Sequence, residues 1–440
     1  MVSEKRTHIA AEIKPELNAK EVVITGWAHE IRPLGGLKFL VLRDRSGTVQ
    51  ITAPKKKVSE DIFNKIGEIT PESVVKVKGI VQKSAQAPNG VEVIPLDLEI
   101  LSLAHAPLPF DMKNPETELH TRLDNRFLDL RKDEIKAIFK VKAEVAKAAA
   151  RYLDEQDFVQ VHTPKITKIG AESGAELFHV NYFDEDAFLA QSPQIYKQMM
   201  QGAGFERVYE IAPVFRAENS NTNRHVTEFT GIDGEMSFIE SDEDVYDVIE
   251  DLFRSILVHV KNTCKDELKL FNAEIEIPKN KFPRITTRQA YKLLDEKGHK
   301  CEEGQDLNRE EEKILAEIVK EKHNTDFFFL IEFPWDSRPF YTMRKEDEPQ
   351  WTLSGDLEWK GDEIVTGGMR EHRYDVLMKQ AKEKDSYQPS LDPYLNMFKY
   401  GFPPEGGFGA GLDRIVMKIL NLENVREAVL FPRDPERVLP

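Results

Sequence analysis

Val214-Phe215-Arg216-Ala217-Glu218, followed by Arg224-His225 and then Glu228-Phe229, decides how this chain is read. The stretch gathers on one hairpin the groups that a nucleoside triphosphate requires. Arg216 offers a planar, permanently charged fork suited to an α-phosphate, while Arg224 and His225, in the polar loop, can reach the outer phosphates. Phe229 adds a ring face for a base. Taken alone, a strand arginine and a nearby phenylalanine describe a surface hairpin with a core ring equally well.

A second stretch weighs against that plainer reading. Gly406-Gly407-Phe408-Gly409-Ala410-Gly411-Leu412-Asp413-Arg414 sets a glycine-rich run against an arginine, and the helical pattern Ile415-Val416, Ile419-Leu420 follows at once. Glycines at a strand-to-helix junction let backbone approach a ligand closely, and a helix N-terminus favours negative charge. The run is not a P-loop, since the Gly-Lys-Ser/Thr ending is missing, nor is it a dinucleotide-binding Gly-x-Gly-x-x-Gly.

Together the hairpin and the glycine-rich run resemble motifs 2 and 3 of the class II aminoacyl-tRNA synthetases. Motif 1 of that family is a long helix ending near a proline and lining a dimer interface. The helical run from about Asp133 to Asp157, then Val159, Val161 and Thr163-Pro164, fits it.

At 440 residues the chain has room for two or three domains. Its two cysteines, Cys264 and Cys301, suggest neither a disulfide framework nor a metal cluster, and no signal peptide or long apolar run stands out. A soluble, cytoplasmic protein with no membrane partner is expected. The net charge of -16 is unevenly spread: residues 1–103 hold 15 Lys+Arg against 13 Asp+Glu, which is +2 and leaves -18 for the rest. The N-terminal part is therefore the better RNA surface, with Lys55-Lys56-Lys57 its densest basic run.

That part reads as five short strands, Val22 to Ile31, Lys38 to Asp44, Thr48 to Ala53, Val74 to Lys83 and Val91 to Leu101. A helical pattern, Ser59 to Ile69, falls between the third and fourth. Five strands with a helix there suggest an OB-fold barrel, whose face commonly binds single-stranded nucleic acid. The expected organisation is a barrel over 1–103, a linker over 104–131 containing His105-Ala106-Pro107-Leu108-Pro109-Phe110, and a larger α+β unit over 132–440. The larger unit is expected to hold an antiparallel sheet flanked by helices. Its charged stretch near 297–326 reads as a helical excursion away from the site.

The order barrel, linker, class II core closely resembles the aspartyl-tRNA synthetases of the archaeal and eukaryotic type, in class IIb. The likeness rests on Gln191-Ser192-Pro193-Gln194-Ile195-Tyr196-Lys197, on Arg216 to His225, on Gly367-Gly368-Met369-Arg370-Glu371-His372 and on Leu430-Phe431-Pro432-Arg433-Asp434. It implies ATP-dependent attachment of L-aspartate to tRNA through an aspartyl-adenylate, by a homodimer. Aspartate would be held by Lys197 and Arg370 at its side-chain carboxylate, with Glu172, Ser192, Gln194, Arg216, Asp233 and Thr366 around it. ATP would be held by Arg216, Glu218, Arg224, His225, Phe229, Glu363, Gly411 and Arg414, of which Arg216 and Arg414 are catalytic. Mg2+ would sit on Glu363 and Thr366, and Asp356 nearby would either bind it or position an arginine. In the barrel, the likeness places Phe39 and Gln50 at the central anticodon base.

Two places bear on which tRNA is used. Discriminating relatives of the archaeal type carry a Trp on the first strand and a Lys in the loop before the last strand; here those places hold His29 and Pro88, as in relaxed enzymes. Both tRNA(Asp) and tRNA(Asn) are therefore expected partners, with an amidotransferase downstream. The alternatives are a strictly discriminating enzyme and an asparagine-synthetase-like ATP-dependent enzyme on the same core, against which the intact barrel argues.

Overall fold

The computed structural model describes residues 4–170, 177–219 and 222–440. The chain divides into two compact units at Thr117/Glu118.

The first unit is a closed barrel of β1 (Glu21–Leu34), β2 (Leu37–Asp44), β3 (Gly47–Pro54), β4 (Val74–Lys83) and β5 (Val91–Ser102), in the order β1-β2-β3-β5-β4. Apolar residues alternate along each strand, so Val22, Ile24, Leu40, Leu42, Val49, Ile51, Val75 and Val93 fill the interior. The helix Glu60–Glu68 follows β3 and is capped by Ser59, whose side chain accepts from the Ile62 amide.

In the second unit, an eight-stranded sheet runs in the order β12-β13-β14-β15-β16-β11-β10-β6. These strands are β6 (Val159–Gln160), β10 (Arg207–Phe215), β11 (Glu228–Ser237), β12 (Arg284–Thr286), β13 (Phe327–Ile331), β14 (Ser354–Trp359), β15 (Glu363–Arg370) and β16 (Glu405–Gly411). A small sheet is made of β7 (Ile166–Thr167), β9 (Glu185–Leu189) and β8 (His179–Tyr182). The six central strands of the large sheet are antiparallel, as expected. Its two edge pairs, β12–β13 and β10–β6, run parallel. Parallel neighbours need a long crossover, and the helices Thr287–Glu296 and Arg309–His323 provide one of them.

One face of the sheet is covered by the helices Asp133–Glu155 and Asp242–Thr263. Ile138, Val141, Val145, Ile249, Phe253 and Ile256 pack there against Ile232, Phe408, Val365 and Leu357 from four adjacent strands. The opposite face carries charge and glycine. The stretch read as an excursion is part of the structure proper: Leu315 and Val319 of the helix Arg309–His323 pack on Phe328 and Leu330 of β13. Its apolar stripe is diluted by charge along the sequence, which hid the packing.

Candidate functional site

In the barrel, residues on β1 to β3 that point away from the core form one face. Phe39 pairs with Thr52 and with Arg32, and Gln50 with Val41. Phe39 is half-buried with the Arg32 guanidinium 5.6 Å from its ring centre. Gln50 Nε2 and Thr52 Oγ1 both donate to Glu92 Oε2, at 3.4 and 2.6 Å. The β1–β2 register shifts between Ala28 and Glu30, so His29 is the extra residue of a β-bulge. Arg43 Nη1 donates to His29 Nδ1 at 2.9 Å, and Arg43 itself is clamped by both oxygens of Glu72, at 3.0 and 2.7 Å. Because an arginine only donates, this contact leaves the imidazole proton on Nε2. Pro88 is exposed in the β4–β5 loop, where the neighbouring Asn89 donates to the Thr48 carbonyl at 3.0 Å. The Lys55-Lys56-Lys57 run is exposed, with Lys55 Nζ 5.9 Å from the Phe63 ring centre.

In the second unit, the charged face of the sheet floors a cavity of about 440 Å³. One rung of the ladder crosses five strands: Asp356 pairs with Thr366, Thr366 with Gly409, Gly409 with Asp233 and Asp233 with Glu210. The glycines of β16 keep extended backbone, and their missing side chains make room on this floor. A Cβ on Gly407 would run into the Glu235 carboxylate, and one on Gly409 would come within 3.1 Å of Asp233 Oδ1. The start of the helix Leu412–Ile419 is already matched by its own Asp413, whose Oδ2 accepts from the Thr230 amide at 3.0 Å.

Every predicted small-molecule residue outside 171–176 lines this cavity. Ser192, Gln194 and Lys197 come from the β9-to-β10 connection, and Arg216, Glu218, Arg224 and His225 from the loop between β10 and β11. Phe229 and Asp233 lie on β11, Glu363, Thr366 and Arg370 on β15, and Gly411 and Arg414 at the β16-to-helix turn. Glu172 lies outside the described residues.

At one end of the cavity, two cations meet two buried acids. Lys197 Nζ is 3.1 Å from both Asp233 Oδ1 and Glu235 Oε2, and it donates to the Phe408 carbonyl at 2.9 Å. Arg370 Nε donates to Glu235 Oε1 at 2.9 Å. Burial opposes charge on Glu235, but Arg370 and Lys197 outweigh it and hold the carboxyl below its usual range. Burial wins at Asp233, whose carboxyl is raised despite Lys197. The pocket therefore carries its own counter-charges, the expected Asp233 and, beyond it, Glu235. Glu235 was missed because a mid-strand carboxylate looks like solvent-facing alternation; its cations lie 38 residues before it and 135 after it.

At the other end are arginines and the Glu363 carboxylate. The Arg216 guanidinium lies 5.5 Å from the Phe229 ring centre and its Nη1 lies 3.8 Å from Glu218 Oε1, with Nε buried and unpaired. Arg224 pairs with Asp362 and stands 3.9 Å from Glu312 Oε2. His225 is held below the usual imidazole range by burial and by Arg414, Arg224 and Arg216. Arg414 Nη1 donates to the Glu363 carbonyl at 3.2 Å. Glu363 and Thr366 share a face, although three apart, because β15 bulges at Ile364; Thr366 Oγ1 donates to Glu363 Oε1 at 3.0 Å. Against the pull of burial, Arg414 and Arg338 keep the Glu363 carboxyl below its usual range.

Arg338 is a further lining residue that the sequence did not mark. It donates to Asp356 Oδ2 at 2.6 Å, the kind of contact that the arginine-positioning option for Asp356 describes. Asp356 Oδ1 is sealed without a partner. Glu312, from the supposed excursion, borders the same end, and burial pushes its carboxyl up to about 7. Among the described residues no group of three or more His, Cys, Asp or Glu has the arrangement of a metal site. A hydroxyl and an ionised carboxylate on one face do suit a hard cation that keeps waters and phosphate oxygens as its other ligands.

A five-stranded OB barrel followed by an antiparallel core with this cavity defines a class II synthetase architecture. The chain belongs to the class II tRNA synthetases (D, K and N), whose family model matches residues 118–435, and an OB-fold nucleic acid binding domain matches residues 22–101. It is 46% identical to an aspartate–tRNA(Asp) ligase of Pyrococcus furiosus over 99% of this chain and 100% of that one. It is 48% identical to an aspartate–tRNA(Asp/Asn) ligase of Methanopyrus kandleri, over 98% of each. Among solved structures, asparaginyl-tRNA synthetase from Pyrococcus horikoshii complexed with asparaginyl-adenylate aligns with a TM-score of 0.92 at 34% identity, covering 100% of both chains. Among the described residues no helix is long and apolar enough to cross a membrane.

Proposed function

We propose that this protein activates L-aspartate with ATP and transfers it to tRNA. The observation that carries the reading is the pairing, in one cavity, of the Lys197–Glu235–Arg370 cluster with the arginines around Phe229. The cluster suits a side-chain carboxylate, and the arginines suit a triphosphate. The α-carboxylate of aspartate attacks the α-phosphorus in line, Arg216 meets the charge that grows there, and pyrophosphate leaves. Phe229 and Arg414 hold adenine, and Arg224 and His225 face the outer phosphates. The terminal adenosine hydroxyl of tRNA then attacks the carbonyl of the aspartyl-adenylate, the bond from that carbonyl carbon to the phosphate oxygen breaks, and AMP leaves with the hydroxyl proton on its phosphate. No side chain acts as an obligatory general base, and the rate comes from positioning and electrostatics. Mg2+, when bound on Glu363 and Thr366, supplies charge neutralisation at the phosphates.

The barrel face with Phe39 and Gln50 reads the anticodon, and His29 with Pro88 leaves its last letter loosely read, so both tRNA(Asp) and tRNA(Asn) are charged. An amidotransferase then converts the product on tRNA(Asn). The enzyme works as a homodimer through Pro164 and the helix before it. Aspartate-dependent exchange of labelled pyrophosphate into ATP tests the central claim, and its absence would overturn it.

A further inference from the structure

β16 ends at Gly411, opposite Gly231, where the chain turns into the helix Leu412–Ile419. The amide of Thr230, the residue before Gly231 in β11, therefore has no strand beside it on that edge. Asp413 takes the strand's place: its Oδ2 accepts from this amide at 3.0 Å. Its Oδ1 pairs with Lys142 Nζ, from the helix Asp133–Glu155, and the same ammonium donates to the Ala428 carbonyl at 3.1 Å. An amide N–H and an ammonium can only donate, so each contact to Asp413 has one polarity.

The pair lies between the two groups read as the faces of the adenine slot. Phe229 precedes Thr230, and its ring packs against the cluster of Val226, Met417 and Val425, with Met417 on the same helix as Arg414. Arg414 follows Asp413, and its stem lies over Gly411, where a Cβ would meet Cβ, Cγ and Cδ of the arginine at 3.6, 3.6 and 3.7 Å. Asp413 thus joins the backbone of one face to the backbone of the other through a single carboxylate. It is 2% exposed and the Lys142 side chain 19%, so water competes little for either contact.

We propose that Lys142 and Asp413 are positioning residues that set the gap between Phe229 and Arg414 through the Thr230 amide, and so set the affinity for the adenine ring. The inference rests on the reading of Phe229 and Arg414 as the adenine slot. The Lys197–Glu235–Arg370 cluster and Arg224 are held by other partners, so a loosened slot leaves aspartate and the outer phosphates where they are.

The test uses the full chain in pyrophosphate exchange, with adenosine as a competitor of ATP, on Asp413→Ala, Lys142→Met and the double variant Lys142→Met, Asp413→Asn. Loss of the Thr230 acceptor should weaken adenosine inhibition and raise KM for ATP about tenfold in Asp413→Ala, and loss of the ammonium should do so about threefold in Lys142→Met. KM for aspartate and KM for pyrophosphate should stay within about twofold of the parent in both. The double variant keeps an oxygen for the Thr230 amide and removes both charges, so its adenosine affinity should return to within about threefold of the parent. Equal weakening of adenosine, aspartate and pyrophosphate, or a lowered Tm with adenosine affinity unmoved, would mark a merely structural pair and overturn the proposal. If Asp413→Ala does not fold, Lys142→Met decides by the same comparison. Adenosine that fails to compete with ATP in the parent would sink the adenine reading itself, whereas competition in the parent with no selective loss in the variants would sink this inference alone.

Discussion

Lys197 and Asp233 form a buried ion pair, 3.1 Å between Nζ and Oδ1, on the floor of the cavity. Lys197 also faces Glu235, so it is the shared counter-charge of two acids before any ligand arrives. Lys197→Leu is expected to raise KM for aspartate steeply while leaving KM for ATP nearly unchanged, since the arginines around Phe229 are untouched. It should also lower Tm, because removing one partner of a buried cluster costs roughly 3 kcal/mol or more. Steady-state exchange kinetics separate the two substrates. Loss of ATP affinity with normal aspartate affinity would place Lys197 in a different site.

Arg216→Ala should abolish adenylate formation and leave the fold intact. The Arg216 side chain is 40% exposed and its ion pair with Glu218 is long, at 3.8 Å, so the fold rests little on it. A charge-assisted contact that tightens in the transition state contributes about 3 kcal/mol, roughly a hundredfold in rate. Pyrophosphate exchange near the parental rate would remove Arg216 from the chemistry.

Arg216 was marked by its neighbours in the chain, whereas Lys197 was marked only by the resemblance of the stretch Gln191 to Lys197 to a known family. The barrel strands and the β10–β11 hairpin follow period-two alternation, and the groups on the hairpin loop are neighbours in the chain. What was not legible depends on distance. Glu235 and Arg338 gain meaning only from Arg370 and Asp356, on other strands. Glu363 and Thr366 share a face only through the bulge at Ile364, which the sequence does not announce. The helix Arg309–His323 looked peripheral because its packing stripe is narrow, yet Glu312 reaches the Arg224 end of the cavity.

Glu312 makes the apo protein pH-sensitive. Its carboxyl is raised from 4.5 to about 7, mainly by burial, with the side chain 21% exposed. Below pH ~4.5 folded and unfolded chains both hold the proton; above pH ~7 both have lost it, and the folded state carries the full cost of the buried charge. The folded state therefore loses stability as pH rises from ~4.5 to ~7, by at most about 3 kcal/mol. Glu312→Gln removes that loss. Thermal unfolding in a metal chelator should show Glu312→Gln more stable than the parent at pH 8 and equal to it at pH 4.5. An equal offset at both pH values would contradict the assignment.

A homodimer is expected, with Pro164 at its interface. Val159 on the edge strand β6 and Ile166 on β7, which flank this proline, are each 46% exposed, apolar surface that a second copy would cover. Sedimentation or mass measurement in dilute solution checks it. Pro164→Asp should shift the population to monomer and lower activity with it; a fully active monomer would contradict the reading.

Charging of both tRNAs is the last expectation, and similarity alone does not choose, since the relatives carry both kinds of name. The two anticodons differ only at their last letter, C against U, which exchange a donor for an acceptor at one ring position. A barrel that discriminates needs a group that penalises U. His29 is tied down by Arg43, which the buried Glu72 holds in turn, and Pro88 has no side-chain donor to offer. Neither is expected to supply that penalty. Purified tRNA(Asp) and tRNA(Asn) transcripts, charged with aspartate at the same salt concentration, should differ in kcat/KM by less than about a hundredfold, or 2.7 kcal/mol. The double variant His29→Trp, Pro88→Lys should lower charging of tRNA(Asn) and spare tRNA(Asp). A larger preference for tRNA(Asp) in the parent would show that another residue reads the last letter, and would assign this chain to the discriminating enzymes.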